Sequence, residues 1–374
     1  MQPRDGVILY QQTEKDTAVE IQDINIVDPI SAFYIEIQCT NGATSNKGNF
    51  ISDIVTKVEV VDGAEVLHSL NFFELEALYF YKTGKVPVLF PSEWGGGDQR
   101  HGVYLLFGRY LWDPLYNFDP TKYRNPQVKI TFNKAAIRAA GVAGFADADN
   151  IKLTLVAKIM QGVPAAAQFL MAKEIDSFTS AASGDKRIDL PVDYPYAMLL
   201  IRAYQSGYDI DETISGLKIT CDTDKYIPLD RKVKQLDAEA LAVFGLSELK
   251  HDVFASDADT VRLLVNKEPV LAFFNWETPM TVFTNIHWAW SGQFAPAVYL
   301  HDGTAYGTDC KLTVMEKGHA LHATLPVFFG RPWVPEEYFN APGYKKIEAV
   351  FTQGAASSAV QIVTVQPRPN RPLG

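Results

Sequence analysis

Two short stretches of the sequence each have a second copy: Ile51-Ser52-Asp53-Ile54 is similar to Ile214-Ser215-Gly216-Leu217, and Glu76-Ala77-Leu78 recurs as Glu239-Ala240-Leu241. The two repeats have the same separation, since 214 − 51 and 239 − 76 are both 163. Alternating apolar segments before each copy also occur in the same order. A common separation predicts that one structural unit is duplicated.

Strands are predicted throughout both halves. Apolar and polar residues alternate in segments rich in β-branched and aromatic side chains, and turn dipeptides such as Asn41-Gly42 and Asp62-Gly63 separate these segments. About eight strands in each half fit a jelly roll better than a seven-stranded immunoglobulin sandwich. The predicted fold is therefore all-β, with two tandem eight-stranded antiparallel jelly rolls. The clearest strands cover 33–38, 55–61, 128–132, 152–159, 198–204, 217–221, 311–315, 347–351 and 360–365.

One short helix is predicted in each half. The first runs from about Asn71 through Tyr81, with Asn71 as its N-cap and Glu74 at the spacing of a capping box. Its counterpart runs from Asp237 to Gly245. Because each helix follows the same two predicted strands, the repeat extends to the order of the elements.

The second half is longer than the first. The closing strand pairs begin at Val128 and Ile347, a separation of 219, which leaves 219 − 163 = 56 additional residues in the second half. The predicted domains are 1–165, a jelly roll with an N-terminal arm at 1–16, and 166–374, a jelly roll with a long loop insertion at about 246–344. Residues 366–374 are predicted to form an extended arm, because their prolines cannot continue a sheet.

Composition and charge exclude several classes of protein. A chain of 374 residues with 47% hydrophobic content can form packed cores. Its net charge of −10 argues against direct nucleic-acid binding, which needs clustered Lys and Arg. Cys39, Cys221 and Cys310 are far apart and odd in number, which favours buried free thiols over disulfides or a zinc site. We recognise neither a secretion signal nor a membrane-spanning stretch.

The histidines give no convincing metal site. His319 and His322 would lie on opposite faces of a strand, so that both could not reach one ion. No nucleotide-binding or nucleophile motif is complete. The sequence therefore predicts no catalytic, cofactor-binding or metal-binding residue, no cofactor and no enzymatic activity. The remaining histidines considered, which are interpreted as interface or loop residues, are His68, His101, His287 and His301.

Acidic and aromatic residues leave two weaker interpretations. The acids near two predicted turns lack the glycine and terminal glutamate of a calcium-binding loop, and are interpreted as solvated turn residues. Trp288 and Trp290 share one face of a predicted strand and form either a sugar-stacking platform or, with more weight, part of a core or interface. Trp276 beside Glu277 allows the same two interpretations. The acids considered are Asp209, Asp211, Asp222 and Asp224.

Two similar jelly rolls, a helix at the same place in each, a long insertion in one and terminal arms resemble the double jelly-roll major capsid proteins of tailless icosahedral viruses, especially membrane-containing bacteriophages. The resemblance covers nearly the whole chain and is architectural. It implies a virion protein, made in the host cytoplasm, whose homotrimers form pseudo-hexagonal capsomers. It also implies contacts with neighbouring capsomers, with penton and minor capsid proteins, and with an internal membrane through the terminal arms.

Two other functions remain open at this point. A two-jelly-roll enzyme acting on glycans, or a carbohydrate-binding protein, would place acids and aromatic rings in a cleft between the domains. A minor capsid or spike protein of the same kind of virion would share the fold.

Overall fold

The computed structural model describes most of the chain, and within 251–315 and at 138–139 it describes the backbone alone. None of the helices in this described part is long and apolar enough to cross a membrane. The described residues are 1–43, 46, 49–92, 95–139, 144–146, 148–205, 208–255, 261–262, 271–276, 287–288, 293–294 and 310–370.

The first half contains nine strands and three short helices among its described residues. Alternation of buried and partly buried residues in strands such as Pro126–Asn133 agrees with one face turned to a core. The strands are β1 Gln2–Glu14, β2 Thr17–Asp23, β3 Ile30–Thr40, β4 Val55–Asp62, β5 Glu65–Leu70, β6 Val88–Phe90, β7 Asp98–Leu106, β8 Pro126–Asn133 and β9 Ile151–Gln161. The helices are α1 Ile51–Ile54, α2 Phe72–Thr83 and α3 Lys134–Ala139.

The second half repeats this order and adds strands after its longer helix. The strands are β10 Gln168–Thr179, β11 Asp185–Leu190, β12 Met198–Tyr204, β13 Ile214–Cys221, β14 Tyr226–Lys232, β15 Ser247–Ala255, β16 Val261–Arg262, β17 Leu271–Trp276, β18 His287–Trp288, β19 Gln293–Phe294, β20 Cys310–Gly318, β21 Thr324–Val327, β22 Ile347–Gln353 and β23 Ala359–Pro369. The helices are α4 Ile210–Thr213 and α5 Val233–Phe244.

Each half pairs eight strands in one and the same order. We number the eight jelly-roll strands of each half from one to eight in chain order, leaving out β6 in the first half and β15–β20 in the second. One sheet of each half then has the strand order 1-8-3-6, and the other has the order 2-7-4-5. The sheets are β1-β9-β3-β7 and β2-β8-β4-β5 in the first half, and β10-β23-β12-β21 and β11-β22-β13-β14 in the second. Two such sheets in each half form a jelly roll. The predicted fold of two tandem eight-stranded jelly rolls is confirmed.

The two jelly rolls are joined edge to edge. Strand β5, at the edge of a first-half sheet, pairs in parallel with β10 of the second half, so that eight strands form one continuous sheet from β2 to β21. Each half keeps a core of its own, one including Ile35 and Phe132 and the other Ile219 and Phe351. The predicted boundary near residue 165 lies between β9 and β10 and stays a prediction.

The insertion lies between α5 and β21. Two of its described sheets, β15-β20-β17-β18 and β16-β19, are separate from the jelly-roll sheets. The predicted insertion, 246–344, extends too far at its C-terminal end, because Thr324–Val327 is already the sixth jelly-roll strand and pairs with β12. All four residues of this strand are buried and one of them is a proline, so the segment lacks the alternation that predicts a strand.

The predicted N-terminal arm is wrong. Residues 2–14 form β1, which pairs antiparallel with β9 from Gln2 opposite Gln161 to Glu14 opposite Ile151. Two bulges interrupt this pairing, which weakens the regular alternation that marks a strand in a sequence.

The predicted C-terminal arm is wrong as far as residue 369. Strand β23 continues through Pro367 and Pro369, which lie opposite Leu170 and Gln168 of β10. Its pairing with β12 ends at Val365, so the last residues of β23 have β10 as their partner strand. Prolines at alternate positions turn their missing N–H groups to the same side, and the open edge tolerates them. Residues 371–374 lie outside the described part.

The repeat is real, but its register differs from the sequence match. Ile51–Ile54 is the helical turn α1, whereas 214–217 begins β13. The true counterpart of α1 is α4, and both turns directly precede a strand. Likewise α5 begins at Val233 rather than Asp237, so α2 and α5 are separated by 233 − 72 = 161 positions and Glu76 corresponds to Asp237, not Glu239.

Candidate functional site

Helix α2 lies at the junction of the two jelly rolls. The Asn71 side chain accepts from the Glu74 N–H at 2.9 Å, and the Glu74 carboxylate accepts from the Asn71 N–H at 2.9 Å, which confirms the predicted capping box. Ten of the twelve helix residues are buried, including charged ones. A helix buried on all sides has partners on all sides, and here the second jelly roll supplies part of them.

A buried carboxylate joins the two units through α2. One Glu76 oxygen lies 3.0 Å from Nδ1 of His101 on β7, and the other lies 2.5 Å from Nε2 of His322 in the second half. The Ser52 hydroxyl donates to Glu76 at 2.8 Å. Since Glu76, His101 and Ser52 belong to the first jelly roll, His322 is the residue through which this cluster crosses the junction.

The electrostatics of the cluster favour an ionised Glu76. Burial opposes the charge, but the nearby His322 and His101 and their hydrogen bonds outweigh it and lower the pKa of Glu76 to about 2. Buried carboxylates persist when opposite charges and donors compensate them. The cluster therefore acts as a specific polar contact inside an otherwise apolar junction.

The turn that carries His322 has an unusual backbone. Ala320, His322 and Ala323 have φ values of 45°, 57° and 54°, in the left-handed region. Each such non-glycine residue costs about 1–2 kcal/mol, so the packing around the turn holds it in place. The result is that His322 reaches Glu76 and packs against Phe73, with ring centroids 5.0 Å apart.

Further contacts from α2 cross the junction. The Tyr81 hydroxyl donates to the Thr324 carbonyl at 2.6 Å, and the Trp333 indole donates to the Tyr81 carbonyl at 2.9 Å. The Arg202 guanidinium lies 4.4 Å from the ring centre of Phe73, within range of a cation–π contact. Apolar residues on the outer face of the β10-β23-β12-β21 sheet complete the junction, among them Met198, Leu200, Val363 and Val365.

Strand pairing forms the second part of the junction. Ser69 of β5 lies opposite Lys173 of β10 in a parallel register. The neighbouring Ala172 N–H donates to Nδ1 of His68 at 3.2 Å. At the end of β23, Arg368 forms a salt bridge with Glu65 of β5. Backbone, hydrogen-bond and ionic contacts thus fix the two jelly rolls against each other.

His68 and His101 do not lie in loops, as one of the two interpretations had it, but on strands beside the junction of the two jelly rolls. Both side chains are fully buried, on β5 and β7 respectively. Burial, followed by the charge of Lys82, lowers the pKa of His68 to about 3. A signal for the buried cluster exists in the sequence: Glu74 and Glu76 interrupt the apolar run of α2, which points to paired carboxylates.

His319 and His322 also differ from the strand model. His319 follows β20, and its Nδ1 lies 2.9 Å from Asp237 Oδ1, whereas His322 lies in a helical turn beside Glu76. The two histidines thus have different carboxylate partners. Within the described ranges, no group of three or more His, Cys, Asp or Glu side chains has the arrangement of a metal site.

The acids considered for calcium occupy turns and a helix start. Asp222 accepts from the Lys345 and Lys346 N–H groups at 2.8 and 3.1 Å, and Asp224 forms a salt bridge with Lys218 at 3.1 Å. Asp209 is the N-cap of α4. These positions serve local structure.

The other candidate residues are only partly described. Cys39 and Cys221 are buried free thiols, as predicted. Burial raises the pKa of Cys39 to about 12. For Cys310, Trp276, Trp288 and His287 the backbone alone is described, and the interpretations of Glu277, Trp290 and His301 lie outside the described residues.

Comparison with known proteins finds the fold among viral capsid proteins. No protein-family model and no curated protein matches the chain. The major capsid protein of Sulfolobus turreted icosahedral virus is similar in structure, with 12% identity, a TM-score of 0.60, and coverage of 98% of this chain and 97% of that chain. PBCV-1 VP54 is similar too, with 10% identity, a TM-score of 0.57, and coverage of 98% and 93%.

A second structure, the atomic structure of Sulfolobus turreted icosahedral virus, gives 11% identity, a TM-score of 0.59, and coverage of 98% of this chain and 91% of that chain. Nearly complete coverage means that both jelly rolls and their connection match together. The chain therefore has the double jelly-roll fold that these viral capsid proteins share.

Proposed function

We propose that this protein is the major capsid protein of an icosahedral virus, a structural protein that forms the shell and has no enzymatic activity. The observation that carries the proposal is the fixed edge-to-edge junction of two jelly rolls with one strand order. The similar solved structures come from viral capsids. A rigid pair of near-equivalent units suits a protein that tiles a surface.

The same junction supports a homotrimer. The side of the first jelly roll that contains β5 and α2 contacts the side of the second that contains β10. This contact is head to tail, because each unit uses a different side, and head-to-tail contacts generate rings when the rotation closes. Three copies that repeat the junction between molecules place six jelly rolls in a ring, a pseudo-hexagonal capsomer.

The proposed partners are copies of this chain within the trimer and in neighbouring capsomers, together with penton and minor capsid proteins. The proposed location is the virion, after synthesis in the host cytoplasm. A net charge of −10 disfavours direct contact with nucleic acid. Membrane contact through free terminal arms is not part of the proposal, because residues 2–14 and 359–369 are strands.

Light scattering on the purified chain tests the proposal. We expect a particle of three times 41.6 kDa, stable on dilution because obligate interfaces bury about 2,000 Å² or more. Electron microscopy at raised protein concentration should then show sheets or shells. A monomer that binds or cleaves glycans would overturn the proposal in favour of the carbohydrate-related alternative.

A further inference from the structure

We propose, on the basis of the trimer proposed above, that β14 of one copy pairs in parallel with β1 of the next copy, in the register that β5 uses for β10 within one chain. The occupant of each free edge is thus a second copy of this chain. In the described part of the fold, β1 and β14 are both edge strands. A free strand edge is a template for pairing with another chain.

The register of β14 follows from its partner strand. Glu59 of β4 lies opposite Ser69 of β5, and Lys218 of β13 lies opposite Asp230 of β14. Glu59 and Lys218 are counterparts, because β4 begins at 55, β13 begins at 214, and each residue lies four positions after the start of its strand. Asp230 is therefore the counterpart of Ser69. The helix starts agree, since Ser69 and Asp230 each lie three residues before them.

A shared bulge fixes the register of β1. Pairing of β1 with β9 skips one residue after Val7, and pairing of β10 with β23 skips one residue after Glu174. Ile8 and Ile175 are therefore counterparts, both partly buried against their cores. It follows that Gly6 corresponds to Lys173. Since Ser69 lies opposite Lys173, Asp230 of one copy is expected opposite Gly6 of the next.

Both edges carry exposed apolar side chains. On β1, Val7 is 63% and Tyr10 73% exposed, while on β14 Tyr226 is 49% and Ile227 41% exposed. Apolar side chains that cluster along a free edge mark an interaction surface. Tyrosine is also enriched in the cores of interfaces between chains.

The two long helices differ in exposure: one face of α2 is buried, whereas the corresponding face of α5 is exposed, as the proposed pairing requires. Phe73, Ala77 and Tyr81 lie four residues apart on α2, are buried, and include the residues that contact the second jelly roll. Their counterparts on α5, 161 positions later, are Lys234, Ala238 and Ala242, and all three are exposed. Helix α5 thus has an open face where α2 has a partner.

The surface that would receive α5 is present on the first jelly roll. Leu200 and Val363, which lie opposite each other in the second jelly roll, are buried against the first. The bulge that β1 shares with β10 makes Val156 the counterpart of Val363. Tyr34, which lies opposite Val156, is therefore the counterpart of Leu200. Tyr34 and Val156 are half-buried in the single chain. The next copy's α5 would cover them.

Disulfide trapping tests the register. Val7 and Arg231, one position beyond the Gly6–Asp230 pair, are expected to lie about 5 Å apart across the interface, the spacing of neighbouring strands and within disulfide reach. Val7→Cys with Arg231→Cys in one chain should convert most of the protein into a covalent trimer under oxidation, reversed by reductant. The single variants should give none.

Two matched controls separate the outcomes. Ser69→Cys with Lys173→Cys, at the observed intramolecular pair, should close within one chain without changing its mass. Val19→Cys with Arg231→Cys, which uses the exposed edge of β2 instead, should not link copies. One outcome is that light scattering shows a trimer that the Val7 and Arg231 cysteines fail to link although the intramolecular pair closes. That result overturns this pairing and leaves the proposed trimer standing. Absence of any trimer overturns both.

Hydrogen exchange on the unmodified protein provides a second measurement. Amides of 226–227 and 229–232 that point away from β13 should exchange at least tenfold more slowly in the trimer than in dissociated chains. Equal exchange rates in the two states would contradict the proposed strand pairing.

Discussion

At the scale of single residues, the junction depends on a charge that is buried rather than exposed. Glu76 and Glu239 look equivalent in the sequence, since each is followed by Ala-Leu. The structure separates them: Glu76 is fully buried between His101 and His322, whereas the Glu239 side chain is 43% exposed and pairs with Arg231. The different surroundings predict different consequences of the same substitution.

We predict that Glu76→Gln destabilises the protein by about 3–5 kcal/mol, the cost of breaking a buried ion pair. The matched control Glu239→Gln should cost at most about 1 kcal/mol, as for an exposed pair. The free energy of unfolding, measured in denaturant at neutral pH, gives both values. Equal and small losses would show that Glu76 contributes no more than its surface counterpart.

The free energy of unfolding of the same variants is expected to depend on pH in different ways. The pKa of Glu76 is about 2 in the fold against 4.5 ordinarily, so its contribution is complete above pH 4.5 and is lost as the pH falls toward 2. In this window the stability of the unmodified protein should fall more steeply than that of Glu76→Gln, by up to about 1.4 kcal/mol per pH unit. Glu239→Gln should retain the steep dependence.

Residue-level predictions from sequence succeeded where the cause was local. The capping box of Asn71 and Glu74 involves residues three positions apart, and it formed as predicted. Within the cluster, Glu76 contacts a histidine that lies 246 positions away, since 322 − 76 = 246. Acids inside the apolar run of α2 indicate a buried carboxylate, but no local pattern encodes which histidine meets it, so the partners of Glu76 could not be predicted.

At the scale of elements, a strand with regular alternation was predicted, whereas the irregular strand segments at the two ends of the chain were not. The segment 128–132 alternates and lies within β8. In contrast, β1 contains two bulges and was predicted as a free arm, and β23 was predicted as a strand only as far as Val365, with its proline-containing end assigned to an arm. Pairing with β9 and β10 outweighs these local signals, because neighbouring backbone groups satisfy the hydrogen bonds.

We predict that deleting 366–374 destabilises the fold instead of removing a dispensable tail. The deletion removes the end of β23 and Asn370, whose side chain donates to the carbonyls of Asn117 and Ala166 at 2.7 and 2.9 Å. Arg368, which pairs with Glu65, is lost as well. The expected result is a fall in the melting temperature of several degrees, measured by calorimetry.

A shorter deletion of 371–374 serves as the control for this prediction, because it retains β23 and Asn370. Its melting temperature should stay within about 1 °C of that of the full chain, since every contact named for the longer deletion is retained. An unchanged melting temperature after the longer deletion would mean that the end of β23 does not hold the jelly rolls together.

At the scale of the whole molecule, duplication was predictable from sequence and the manner of joining was not. Repeated motifs and strand counts indicated two jelly rolls. The separation of 163 positions between the repeated motifs differs by two from the separation of 161 between the starts of the two helices. A continuous sheet through β5 and β10 depends on edges that no sequence pattern marks. That joining is the basis for proposing a ring, because the same two sides remain available on β1 and β14.

A cryo-electron microscopy reconstruction of the purified protein tests the proposed ring most directly. We expect a closed ring with threefold symmetry, in which six jelly rolls alternate and β14 of each copy adjoins β1 of the next. A single two-lobed particle, or a dimer related by a twofold axis with these edges exposed, would contradict it.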